Sequence, residues 1–179
     1  MKYELDDVYI RLVQPTDKEE MLKFKQEFID NGDTINGDGG LSRYDTFEEW
    51  VQKLEEYSKE ETVPEGKVPA TQFLTVRKSD EKIVGVVNVR HRLNDFLNLV
   101  GGHIGDAVRP SERKKGYGTK QIALALKYMA DLGIDRALIT CDENNVASMK
   151  TIVKNGGKLQ DIIDYEGKKE MRFWVEIKK

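Results

Sequence analysis

Val108-Arg109-Pro110-Ser111-Glu112-Arg113-Lys114-Lys115-Gly116-Tyr117-Gly118 is the run on which the fold of this chain turns. Before it, residues 103–108 read as a short strand. After it, residues 117–132 place Ile122, Ala125, Leu126 and Met129 on one stripe of a long helix that Gly133 ends. The run is therefore a strand-to-helix turn. A helix N-terminus exposes unpaired N–H groups and a partial positive charge, and Gly116 and Gly118 would let those amides approach an anion closely. Arg113, Lys114 and Lys115 add three cations at the same point of a chain whose net charge is -3, which favours a multiply charged phosphate ligand. Glycines also open helices for purely conformational reasons, so the run by itself supports both phosphate binding and a plain helix start. A P-loop is excluded, because no Gly-Lys-Ser or Gly-Lys-Thr run occurs, and the turn lacks the opening glycine pair of a dinucleotide-binding fingerprint.

Toward the N-terminus, Val8, Ile10 and Leu12 alternate with polar residues in a strand closed by Pro15. Thr16, with Glu19 in the capping-box position, predicts a helix to about Asp30 that buries Met21, Phe24 and Phe28. Residues 31–45, carrying Gly32, Gly37, Gly39 and Gly40, read as a surface loop. Phe47, Trp50, Val51 and Leu54 then mark a second amphipathic helix. Residues 72–76 and 82–93 read as a hairpin around a polar turn, preceded by a linker too short to divide domains. Beyond the long helix come a buried strand at 137–140, a helix at 146–154 stopped by Gly156 and Gly157, and a final hairpin, 159–165 with 171–177. This order predicts an α/β layered domain with a mixed sheet, spanning residues 1–179 as one unit.

Hydrophobic residues at 39% and charged residues at 34% describe a soluble globular chain. With 29 Lys and Arg against 32 Asp and Glu, nucleic acid is not an expected partner. Residues 1–10 carry no continuous apolar stretch, so neither a signal peptide nor a membrane span is expected there. The single cysteine, Cys141, has no internal disulfide partner and too few companions for structural zinc, which predicts a cytoplasmic protein without a metal.

Residues 113–118 resemble the Arg/Gln-x-x-Gly-x-Gly/Ala motif by which Gcn5-related N-acetyltransferases (GNAT) hold the pyrophosphate of coenzyme A. The run Cys141-Asp142-Glu143-Asn144-Asn145-Val146-Ala147-Ser148 is similar to the family's next segment, and Asn145 falls where its pantetheine-contacting Asn stands. The element order matches from Val8 to Ile177, and the wording between Gly102 and Gly157 resembles a subgroup of predicted acetyltransferases.

The resemblance implies an α/β (α+β) fold with a mixed, mostly antiparallel seven-stranded sheet, about four flanking helices and a splay between strands four and five. It implies acetyl-CoA as co-substrate, with Arg113, Lys114, Lys115, Gly116, Tyr117 and Gly118 at the pyrophosphate and Ala107, Val108 and Asn145 at the pantetheine. The acetyl group would pass by direct attack to a primary amine on a small molecule, an amino acid or a protein. Ile152 stands where many members carry a tyrosine acid, which keeps a non-catalytic CoA-binding or sensing module as the alternative. A homodimer through the final hairpin is compatible with the sequence.

Deprotonating a lysine-like amine at neutral pH costs about 4 to 5 kcal/mol, so a general base is useful. The resemblance places His103 where many members carry the acid that serves, and an imidazole could do the same; the other reading is a strand residue bonded to backbone. Asp106 and His91 are further candidates, His91 as a substrate contact, and strand alternation sets Asp106 on the face opposite His103. In the 31–45 loop, Asp33, Asp38 or Asp45 would either help receive a cationic amine, Asp38 foremost, or simply line a solvated turn. Cys141, beside Asp142 and Glu143, is expected to be a buried thiol rather than an acyl carrier.

Overall fold

The computed structural model describes residues 1–177. Eight strands form two sheets in which every ladder is antiparallel. The first, in spatial order, is β1 (Lys2–Leu5), β2 (Val8–Leu12), β3 (Ala70–Arg77), β4 (Ile83–Arg90) and β5 (Ile104–Val108). The second runs β6 (Arg136–Asp142), β8 (Lys168–Glu176), β7 (Lys158–Tyr165). Five helices accompany them: α1 (Lys18–Asp30), α2 (Phe47–Tyr57), the short α3 (Asp95–Leu99), α4 (Tyr117–Asp131) and α5 (Val146–Lys154). Strand β1 and helix α3 were not expected, and β4 ends three residues early: the His91 N–H still reaches the Pro69 carbonyl, next in register, but Pro69 has no N–H to return.

The central strands are buried on both faces, as the run Ile-Val-Gly-Val-Val-Asn-Val of β4 demands. Val84, Val87 and Val89 pack with Ile122, Leu124 and Met129 of α4 on one side. Leu74 and Val86 pack with Phe24, Phe28 and Trp50 of α1 and α2 on the other. Helices therefore cover opposite faces of the sheet, and the turn before α4 lies at its split edge.

Local chemistry sets the helix starts. Thr46 accepts the Glu49 N–H at 3.2 Å to open α2, and Asn145 accepts the Ser148 N–H at 3.1 Å to open α5. At α1 the expected cap, Thr16, is displaced by Asp17. Its buried carboxylate accepts the Gln14 N–H and both Arg11 guanidinium nitrogens at 2.7 Å, which fixes a short 3-10 turn ahead of the helix.

Backbone and side-chain hydrogen bonds join the two sheets where β5 begins. There the His103 N–H reaches the Leu138 carbonyl at 2.7 Å, the Leu138 N–H reaches His103 Nδ1 at 2.9 Å, and the Gly101 N–H reaches Thr140 Oγ1 at 2.8 Å. From Ile104 onward no ladder joins β5 to β6, so the strands part into a V. Among the described residues no helix is long and apolar enough to cross a membrane.

Candidate active site

The V opens into a cavity of about 940 Å³ whose walls are β5, the turn into α4, the start of α5, the end of β6 and the loop after α1. Its edge on β5 is made of unused backbone. The Arg90 N–H bonds the His103 carbonyl and the Arg109 N–H bonds the Val84 carbonyl. Period-two alternation then commits Gly105 and Ala107 to β4 and turns the N–H and C=O groups of Ile104, Asp106 and Val108 toward the gap. Except for the Val108 carbonyl, which accepts from Arg113 Nε at 3.2 Å, those groups are available to an extended ligand.

At the wide end sits the N-terminus of α4. Gly116 takes φ +85°, a left-handed conformation that lets the chain enter the helix, with open space around it. The first helical N–H groups, from Tyr117 on, have no intrahelical acceptor and lie at the cavity. Lys114 and Lys154 also line it and form no ion pair among the described residues.

Of the residues expected to hold coenzyme A, Ala107, Val108, Arg113, Lys114, Gly116, Tyr117, Gly118 and Asn145 line this cavity. Lys115 does not. Its ammonium lies 2.8 Å from Glu112, a 4%-exposed carboxylate that also holds Arg77 and Lys82 at 2.8 Å. Burial alone would push the Glu112 carboxyl up, but bonds and charge from Lys115, Lys82 and Arg77 override it and hold it at about 2. Lys115 thus secures the turn from behind. Arg113 is also engaged: it pairs with Asp33 at 2.6 Å, donates to the Val108 carbonyl at 3.2 Å and stacks over Phe28, tying the 31–45 loop to the turn. Tyr117 is buried and accepts from Arg77 at 3.3 Å.

His103 is placed away from the chemistry. It does not line the cavity, and it is buried beside Trp174. Because a backbone N–H can only donate, Nδ1 must be the unprotonated nitrogen that accepts from Leu138, leaving Nε2 protonated in the neutral ring. The only basic nitrogen is consumed. Burial, with the nearby Arg90 charge, lowers its pKa to about 4. The structure therefore gives His103 a part in joining the sheets, not that of a base.

Asp106, by contrast, lines the cavity from β5 on the α4 side, where Gln121 Nε2 donates to Oδ2 at 2.7 Å. Gln121 is fully buried and is oriented by Thr75, whose hydroxyl donates to Oε1 at 2.9 Å. Desolvation pushes the Asp106 carboxyl up to about 6, with the Gln121 bond offsetting part of the rise.

Two expected substrate contacts are also occupied elsewhere. Asp38 is 6% exposed and accepts from the Gly40 N–H, the Ser42 N–H and the Ser42 hydroxyl at 2.7, 2.9 and 2.5 Å, so it shapes the loop instead of meeting an amine. His91 does not line the cavity; Nε2 meets Thr71 Oγ1 at 2.8 Å and Tyr128 OH at 3.2 Å, and burial lowers its pKa. The loop nevertheless reaches the site through Gly37, which takes φ +67° where a Cβ would stand 2.0 Å from the Gly105 carbonyl oxygen. Cys141 is buried, and burial pushes its thiol up to about 11. Ile152 is wholly in the core. Arg90 and Glu170, cavity residues of β4 and β8, carried no sequence signal.

Comparison with known families is decisive at this point: a family model for the acetyltransferase (GNAT) domain matches residues 7–158. The chain belongs to the GNAT acetyltransferase family. It is an acyltransferase, and its two-sheet architecture is that of the family. No curated protein matches by sequence. Among solved structures, the ribosomal-protein-S5-alanine acetyltransferase from Vibrio fischeri is 16% identical with a TM-score of 0.73, over 99% of this chain and 97% of that chain. An acetyltransferase from Salmonella typhimurium that modifies the N-terminal serine of ribosomal protein L7/L12 is 16% identical with a TM-score of 0.68, over 97% of both chains. A GNAT-family acetyltransferase from Bacillus anthracis is 17% identical with a TM-score of 0.65, over 100% of both. At these identities the likeness is one of fold. Among the described residues no cluster of three or more His, Cys, Asp or Glu could hold a metal.

Proposed function

We propose that this GNAT member transfers the acetyl group of acetyl-CoA to an amine by direct attack, within a single domain spanning residues 1–179. The observation that carries the reading is the cavity itself. It runs from the free N-terminus of α4 along the unpaired edge of β5 to a half-buried carboxyl group, Asp106.

The residues present fit coenzyme A. The amides at the start of α4, with Lys114 and Lys154, suit a pyrophosphate. The gap-facing N–H and C=O groups of Ile104 and Asp106, with the Val108 N–H, suit the amides of a pantetheine arm, and Asn145, whose Oδ1 caps α5, retains its amide N–H groups for the same arm. A gap-facing N–H of β5 would polarise the thioester carbonyl, where negative charge builds as the amine nitrogen bonds to carbon. Asp106, directly or through one water, takes the proton that the nitrogen loses. The sulfur leaves as thiolate with the electrons of the C–S bond, so Ile152 at the tyrosine position is no obstacle.

The pKa of the base favours one class of amine. Passing a proton to a group of pKa about 6 costs about 3 kcal/mol from an α-ammonium and about 6 kcal/mol from a lysine-like ammonium. Two of the similar structures come from enzymes named for N-terminal or alanine acetylation of ribosomal proteins. An α-amine, on a peptide or an amino acid, is therefore the acceptor proposed. A non-catalytic binding module would have no use for a carboxyl held near neutrality on the wall of the gap.

Thermal unfolding with acetyl-CoA at about 100 times its dissociation constant should add about 2.7 kcal/mol, or about 5 to 10 °C. Mass spectrometry of α-amine and lysine-containing peptides should then find the acetyl group on the α-nitrogen. Binding without transfer to any amine would leave the module reading in place of the enzyme.

A further inference from the structure

Arg90 is the one cation at the narrow end of the cavity whose charge nothing answers among the described residues. It closes β4, opposite the junction where β5 and β6 still touch, and it lines the cavity. Nη1 donates to the Gly101 carbonyl at 2.9 Å and the Gly102 carbonyl at 3.3 Å, which fixes the guanidinium plane against the backbone. Nη2 lies over Gly105, where an ideal Cβ would stand 3.0 Å from it, so the absence of a side chain on Gly105 makes room for the fork. Nε and Nη2 have no protein acceptor among the described residues. Desolvation lowers the guanidinium pKa to about 10, with no acid to offset it.

The carboxylates that share the cavity are spoken for. Asp33 pairs with Arg113 at 2.6 Å, and Asp106 is bonded by Gln121 at 2.7 Å. Asp142 accepts the Asn144 N–H at 2.8 Å, and neither it nor Glu170 answers the Arg90 charge. Arg90 is half-buried, and a guanidinium drawn partly out of water normally has its anion, because desolvating the charge alone is costly. A planar fork with two donors aimed at open space matches a carboxylate bidentately.

Resting on the acetyl-transfer reading above, we propose that Arg90 binds a carboxylate carried next to the acceptor's reacting amine. Its source is either the α-carboxylate of a free amino acid or an acidic side chain beside a peptide's N-terminal amine. Gly101, whose carbonyl takes Arg90, donates its N–H to Thr140 Oγ1 at 2.8 Å, which ties the support of Arg90 to β6.

The test uses product-like probes with the CoA-saturated protein, read by calorimetry so that turnover is not needed. One pair is N-acetyl-alanine against N-acetyl-alaninamide; the other is acetyl-Ala-Asp-amide against acetyl-Ala-Asn-amide. The carboxylate member of at least one pair should bind about 10-fold or more tighter, the size expected of a charge-assisted fork. Which pair discriminates identifies the source. Arg90→Gln, which retains a donor to Gly101, should bring that ratio to about 2-fold or less, and Arg90→Lys should retain part of it. CoA affinity of both variants should equal the native value, which also shows that they fold. No discrimination in either pair, or a preference that survives Arg90→Gln, overturns the assignment. Preserved discrimination without acetylation of any matching amine would instead overturn the transfer reading and leave Arg90 as a carboxylate site.

Discussion

With Gln121 on one side and the cavity on the other, Asp106 is a carboxyl whose folded pKa, about 6, exceeds its ordinary value of 3.8. A raised carboxyl pKa means that the folded chain holds the proton more tightly than the unfolded one. This group's contribution to stability is therefore greatest below pH 3.8 and is lost as pH rises to about 6. Asp106→Asn, which can still accept from Gln121, should stabilise the fold at pH 7 by roughly 2 to 3 kcal/mol, and the gain should vanish near pH 4. Urea unfolding at the two pH values reads both numbers. The same variant should lose about 100-fold or more in kcat, and the native rate should fall as pH drops through 6. His103, by contrast, stands where the family resemblance puts the catalytic acid of many members; the sequence does not show that the Leu138 N–H takes its only basic nitrogen.

The turn between β5 and α4 divides its cations by task, which its sequence alone could not do. Arg113, Lys114 and Lys115 look equivalent in a row, yet only Lys114 is left to face a ligand. Lys114→Ala should weaken CoA binding about 5- to 30-fold, while Lys115→Ala should lower the melting temperature and leave CoA affinity within about 2-fold. Glu112 is the anchor. Its carboxyl, held at about 2 against an ordinary 4.5, contributes stability that is fully present above pH 4.5 and is lost as pH falls toward 2. Glu112→Gln should cost about 3 kcal/mol or more at pH 7, a penalty that shrinks below pH 4.5, measured by denaturant unfolding. Gly118→Val would place its side chain against Val108 and Thr151, whose atoms stand 3.6 Å from an ideal Cβ, and should weaken CoA binding about 10-fold or more with little loss of stability.

Across the whole molecule, legibility follows the range of the interaction. Helix α4, its glycine turn and the buried run of β4 are written in local spacing, and residues 7–158 match the acetyltransferase domain accordingly. Strand β1 was missed because four residues that alternate between exposed and half-buried carry too short a pattern, and α3 because five residues make little more than one turn. Arg90 was invisible for a different reason: its meaning lies in the partner it lacks, which only the register of β4 on β5 and the placement of every nearby acid reveal.

Amine-dependent thiol release from acetyl-CoA, comparing the native protein with Asp106→Asn, tests the central claim most directly. The account predicts release that requires an α-amine acceptor, rises through pH 6 and falls about 100-fold in the variant while CoA affinity is retained. Release that no amine stimulates, or that is undiminished in Asp106→Asn, would contradict it.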